Sequence, residues 1–164
     1  MNHEIIVTAD GSHTLFLPEM NEQYHSVNGA IAESNHVFIK NGYQFHKKAN
    51  PVIFEVGFGT GLNCLLTALE AIKQKRFTRY ISVEKFPLDK KIIYQLNYGK
   101  LISKKASELY NKIHEANWNE WKSISKYFQL KKIETDIIEM NFLDLEKFDI
   151  IYFQLTGKII LSVL

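Results

Sequence analysis

Apolar positions in this chain fall into short runs and longer helical periods that alternate along its length. Glu4 to Ala9 and His13 to Leu17 read as two strands joined through Asp10-Gly11-Ser12, a glycine-centred hairpin signal. Pro18-Glu19 leads into the polar stretch Asn21 to Asn35, which carries Tyr24, His25, Asn28, Gly29, Ala30 and Glu33, and then into Val37-Phe38-Ile39. Periodicity leaves two readings open for that stretch: a pocket lining, or a capped surface helix with one packed face. Val52 to Val56 predicts a strand, and Leu62, Leu65, Leu66 and Leu69 start a helix running to about Arg76. Lys73, Lys75 and Arg76 suit the negative end of its dipole. Arg79 to Glu84 predicts a second strand, and strand, helix, strand in so few residues implies a parallel, right-handed crossover.

Further along, Pro87 to Leu96 predicts a helix broken at Gly99, and Ala106, Leu109, Tyr110, Ile113 and Ala116 mark another. Trp118 and Trp121 suit either packing or base stacking. Leu130 to Met140 predicts a third strand, followed by Asn141 and Asp144, and Phe148 to Phe153 a fourth, short and central in the sheet. Gly157 separates the next residues from a last apolar run. The expected fold is α/β, a Rossmann-like sheet with an amino-terminal β-hairpin extension. Residues 1–50 form the extension and 51–164 the core, together one structural domain.

Composition narrows this picture only slightly. With 164 residues and 46% apolar content, the chain can bury one substantial core. A net charge of +2 is compatible with nucleic acid without arguing for it. The lysine pairs 47–48, 90–91, 104–105 and 131–132 could meet phosphates, but solvated surface is the favoured reading at each. The single cysteine, Cys64, excludes an intrachain disulfide framework and reads as a small buried hydrophobe. No signal sequence or long apolar span is apparent, so the expectation is a soluble cytoplasmic protein without a membrane partner. The six histidines lack ligand spacing, and no metal site is expected.

The chemistry concentrates at Pro51 to Asn63, P-V-I-F-E-V-G-F-G-T-G-L-N, a strand, a glycine turn and a helix start. Glycines at 57, 59 and 61 let the backbone take unusual dihedrals and let a ligand approach it. A tight connection with glycines for packing alone is the plainer alternative. A dinucleotide turn wants G-x-G-x-x-G, and Leu62 occupies its third-glycine position. Glu55, two residues before the first glycine, suits a cationic ligand better than a polyanionic one. S-adenosylmethionine is cationic, and an acid at the end of the second strand, here Glu84, can accept its ribose hydroxyls.

E-V-G-F-G-T-G-L-N resembles motif I of class I S-adenosylmethionine-dependent methyltransferases. Its wording is similar to the methyltransferase domain of the bacterial enzyme that completes 5-methylaminomethyl-2-thiouridine at the tRNA wobble position. D-G-S-H-T-L, Tyr24 to Ile39 and Y-I-S-V-E-K-F-P-L at Tyr80 to Leu88 resemble the same family, and the likeness spans roughly Asp10 to Phe153. The resemblance implies that Glu55, Gly57, Gly59, Gly61 and Asn63 wall the methionine side of the cofactor site and that Glu84 binds the ribose. It implies Asn141, the second residue of M-N-F-L-D-L, in place of the acid facing adenine, with Tyr24 and Glu33 helping to close the pocket.

After Phe153 the family reads Asp-Ala-Phe-x-Pro, and here Gln154-Leu155-Thr156-Gly157-Lys158 stands instead. Gln154 accepts a hydrogen bond but cannot serve as a carboxylate base. The change of character there suggests a product truncated after the fourth strand, with part of the sheet missing. By resemblance the substrate is tRNA, methylated on the aminomethyl group of 5-aminomethyl-2-thiouridine, and any flavin oxidase in the pathway is a separate protein. Two alternatives are a cofactor-binding remnant without turnover and a nicotinamide-dependent dehydrogenase.

Overall fold

In a computed structural model of the chain, residues 2–142, 146–155 and 158–163 are described. Asp144, Thr156 and Gly157, singled out above, lie outside them. The amino-terminal residues form a small antiparallel sheet in the order β1 (Glu4–Val7), β2 (His13–Leu17), β3 (Glu22–Gln23). Its hairpin turn is built as the sequence signals: Asp10 accepts the Ser12 backbone N–H at 2.9 Å. The same carboxylate accepts the Ala32 N–H at 2.8 Å, which ties the hairpin to α1 (Ala30–Ser34). A nine-residue π-helical segment, Asn35–Tyr43, continues directly from α1. The expected helix from Asn21 therefore starts late. Asn21 has positive φ, β3 pairs with β2, and Gly29 at φ 143 caps the helix.

A six-stranded sheet follows, in the order β6 (Trp121–Ser125), β7 (Phe128–Glu134), β5 (Thr78–Glu84), β4 (Val52–Val56), β8 (Ile150–Leu155), β9 (Lys158–Val163). The four inner strands are parallel and the two outer ones antiparallel to their neighbours. β4 is buried at all five positions, as an apolar strand covered on both faces must be. Three features depart from the expected strands. β7 ends at Glu134 and a short 3-10 turn, Ile137–Glu139, replaces its predicted continuation. Trp121 opens a strand in place of a helical flank, and β9 adds a strand beyond the fourth.

Between β4 and β5 runs α2 (Leu62–Gln74), and α3 (Lys90–Ile93), α4 (Tyr98–Ile102) and α5 (Lys104–Glu115) lead to β6. Gly99 does not break a helix but lies inside α4, where a Cβ would stand 2.6 Å from the Ser107 Cα of α5. The Arg76 backbone N–H closes the end of α2 on the Ala71 carbonyl at 3.0 Å, while its guanidinium donates to the carbonyls of Tyr43, His46 and Lys48 at 2.7–2.9 Å, holding the end of the π-helical segment. On one sheet face Ile53, Tyr80, Leu130 and Tyr152 pack with α2, α5 and the amino-terminal residues Leu15, Phe38 and Tyr43. On the other, Val52, Phe54, Val56, Ile81 and Val83 pack with Ile133, Ile137 and Phe148. Among the described residues no helix is long and apolar enough to cross a membrane.

Candidate functional site

The glycine turn leaves β4 at its carboxyl end and enters α2 through Gly61, in the left-handed region at φ 73. Gly57 has φ +89, and a Cβ there would stand 2.0 Å from the Gln154 carbonyl oxygen, so the neighbouring strand excludes a side chain. At Gly59 the Tyr24 ring lies 3.1 Å from where a Cβ would be. Protein atoms thus explain much of the glycine pattern. The Gly59 N–H donates to Glu84 Oε2 at 3.0 Å, and Glu84 Oε1 accepts the Phe86 N–H at 2.9 Å. One carboxylate at the end of β5 therefore ties the turn to the loop that follows β5.

A cavity of about 580 Å³ opens over these strand ends, in the range of small-molecule sites. Gly57, Gly59, Asn63, Glu84, Tyr24 and Gln154 line it, as do His25, Lys85, Phe86 and Asp136. The other expected residues stand elsewhere. Glu55 lies behind the wall, 1% exposed, accepting from Ser82 Oγ at 2.6 Å and from Asn63 Nδ2 at 3.3 Å. Burial pushes its carboxyl up to about 7, so at neutral pH it carries only part of a charge. The carboxylates that line the cavity are instead Glu84, Asp89 and Asp136, the last of them paired with Lys85. Gly61 packs on His114, and Glu33 accepts the Ser26 N–H at 3.0 Å; neither lines the cavity. Asn141 is exposed and outside it.

Gln154, at the end of β8, is fully engaged. Its Nε2 donates to the Tyr24 carbonyl at 2.9 Å and to His25 Nδ1 at 3.0 Å, and its Oε1 accepts from Asn63 Nδ2. These partners assign the His25 proton to Nε2, which faces Thr60 Oγ1 at 3.3 Å. Burial brings His25 down to about 4, and the ring is neutral. Asn63 Nδ2 serves both Gln154 and Glu55, while its buried Oδ1 has no partner. Tyr24 keeps its proton: burial and then the Glu84 charge push its hydroxyl up to about 12.

Asp136 is the residue the pattern concealed. Extending the third strand to Met140 hid an acid two residues past the end of β7, where it lines the cavity and pairs with Lys85 Nζ at 2.6 Å. The signal was present in the charge-rich break E-T-D after the alternating run. His25 carried a weaker one, its place beside Tyr24 in the stretch left open above.

This architecture has solved and curated counterparts. The crystal structure titled MNMC2 from Aquifex aeolicus matches with a TM-score of 0.70 and 26% identity over 95% of this chain and 50% of that one. The tRNA 5-methylaminomethyl-2-thiouridine biosynthesis bifunctional protein MnmC of Leptospira interrogans is 39% identical over 83 residues, 46% of this chain. Those of Burkholderia multivorans and Cupriavidus necator are 41% identical over 83 residues and 36% over 102, covering 47% and 58% of it. The resemblance read in the sequence is borne out. The chain is similar to the methyltransferase region of MnmC and shares the methyltransferase-like fold of MNMC2. Its matched stretch spans only 13–15% of the length of these MnmC proteins. No protein-family model matches the chain.

Proposed function

We propose that this chain is an S-adenosylmethionine-dependent methyltransferase of tRNA wobble-uridine modification, acting on the aminomethyl group of 5-aminomethyl-2-thiouridine. The observation that carries the cofactor reading is the cavity wall. It combines the carboxylates of Glu84 and Asp136 with the unpartnered Asn63 Oδ1, beside a glycine turn at the carboxyl ends of parallel strands. Acceptors and negative charge suit a ligand with an ammonium, a sulfonium and ribose hydroxyls, and disfavour a pyrophosphate. The names of the MnmC relatives support the tRNA part.

In this reading Asn63 Oδ1 accepts from the ammonium, and Glu55 acts from behind by fixing the Asn63 amide. Glu84 accepts from the ribose. Asp136, rather than Asn141, takes the adenine side. The bound cofactor supplies a methyl group activated by its sulfonium. His25, neutral and aligned by Gln154, adds no charge of its own to the adjoining space, where the amine must be unprotonated and in line for methyl transfer.

Gln154 favours a second reading, cofactor binding without turnover, because both ends of its amide are committed and no carboxylate stands in its place. Two experiments decide. Isothermal titration with S-adenosylhomocysteine is expected to give saturable heat, and its absence sinks both readings. Methyl transfer to tRNA bearing the unmethylated aminomethyl group then separates them, since a binder without turnover gives none.

A further inference from the structure

Lys132 belongs to β7, yet its ammonium is turned into the molecule, and the residue is 2% exposed. Among the described residues no carboxylate lies within ion-pair distance of it. Its Nζ stands 4.9 Å from the centre of the Trp118 ring and 5.4 Å from that of Phe58, and donates to the His114 carbonyl at 3.4 Å. Among the described residues, two aromatic faces and one carbonyl are what surround it at short range. Phe58 is the residue between Gly57 and Gly59; its ring meets Trp118 and His114 edge-on at 5.8 and 5.5 Å, and it lines the cavity. His114 in turn packs on Gly61 and sets Nε2 3.2 Å from the Thr60 carbonyl. The cation therefore stands at the centre of the contacts that hold the turn from behind.

We infer that Lys132 is a positioning residue for the glycine turn: its ammonium holds the Phe58 and Trp118 rings, and through Phe58 it sets Gly57 to Gly61 for the ligand. The ligand half of this inference rests on the cofactor reading above. A methionine of similar length would fill the same space without the penalty of burying an unpaired charge. What only the ammonium supplies is attraction to both ring faces at once. The titratable groups facing it are His114 of α5, Cys64 of α2 and Lys90 of α3. Burial keeps His114 neutral, with its pKa near 3, and keeps the Cys64 thiol protonated. Burial also brings Lys132 itself down to about 8, opposed by Cys64 and assisted by Lys90, so the hold loosens just above neutral pH.

The test uses the full chain labelled with ¹³Cα-glycine, whose eight glycines give few signals. Between pH 7.5 and 9.5, above the Glu55 step near 7, the signals of Gly57, Gly59 and Gly61 are expected to move together through a transition near pH 8, while Gly11 and Gly29 do not. Lys132→Met abolishes the transition and Lys132→Arg moves it out of range. The affinity for S-adenosylhomocysteine, titrated over the same range, falls about five-fold in the parent protein and stays level in Lys132→Met. Turn glycines without a transition, or a transition that persists in Lys132→Met, overturn the inference, as does an affinity that ignores the transition. If the ligand gives no heat at any pH, the cofactor reading falls, and the glycine signals still decide whether Lys132 holds the turn.

Discussion

At Gly57 two independent constraints meet, a left-handed backbone at φ +89 and a Gln154 carbonyl 2.0 Å from any Cβ. The carbonyl belongs to strand backbone and cannot yield. Gly57→Ala is therefore expected to lose about 3 kcal/mol or more in urea unfolding. Gly59→Ala meets only the edge of the Tyr24 ring, which can move, and should lose about 1 kcal/mol. The glycines were legible as a turn, but which protein atoms crowd them was not, since Gln154 is nearly a hundred residues away. Lys132 carries a similar lesson. In the sequence it is half of a basic pair, and only the register of β7 turns it inward. Its depressed pKa means that the unfolded chain binds the extra proton between about pH 8 and 10.5, so burial of this charge opposes folding at neutral pH. Lys132→Met should accordingly raise the unfolding free energy at pH 7 by roughly 1–3 kcal/mol while abolishing the glycine transition. A gain in stability with a loss of control over the turn is what separates positioning from mere packing.

Elements whose boundaries follow from period alone came through: β4, α2, β5, α5 and the hairpin of β1 and β2 lie close to where apolar spacing and turn residues put them. The segment from Trp118 to Met140 did not: β7 alternates in burial only from Phe128, while its antiparallel partner β6 is exposed at its first three positions and has an irregular register at Ser123 to Ser125. In the reading proposed above, the adenine side falls to Asp136, five positions before Asn141. The end of β7 places Asp136 in the cavity wall, capping the 3-10 turn through the Ile138 N–H at 3.0 Å and pairing with Lys85 from the loop after β5. Asp136→Asn should weaken S-adenosylhomocysteine about ten-fold, whereas Asn141→Ala should leave binding within two-fold. Equal effects of the two substitutions would return the adenine side to Asn141. Lys85→Met tests the pair separately: it frees the Asp136 carboxylate and should tighten binding at low salt.

Across the whole molecule, four buried groups give stability a pH dependence with a definite shape. Burial holds His25 near 4 and His114 near 3, so below about pH 6.5 the unfolded chain gains two protons that the native chain refuses. Burial holds Glu55 near 7, so between about 4.5 and 7 the native chain keeps one proton that the unfolded chain releases. Between pH 4.5 and 6.5 the two histidines outweigh the one carboxyl, and stability rises with pH by roughly one proton's worth, about 1.4 kcal/mol per unit. It levels near neutrality, where Glu55 alone still titrates and pulls slightly the other way. Above about pH 8 it rises again as Lys132 loses its charge, until the Cys64 thiol near pH 9 and then the tyrosines near pH 10 begin to ionise in the unfolded chain and turn the limb over. Urea midpoints at half-unit steps from pH 4.5 to 9.5 should trace two rising limbs with a shelf between them. Lys132→Met should flatten the upper limb only. Glu55→Gln should steepen the lower limb and raise the shelf, and at the same time weaken ligand binding by releasing the Asn63 amide. A single bell centred on neutrality would mean that Glu55 and Lys132 are not buried as described, and would remove with them the basis for the hold of Lys132 on the turn.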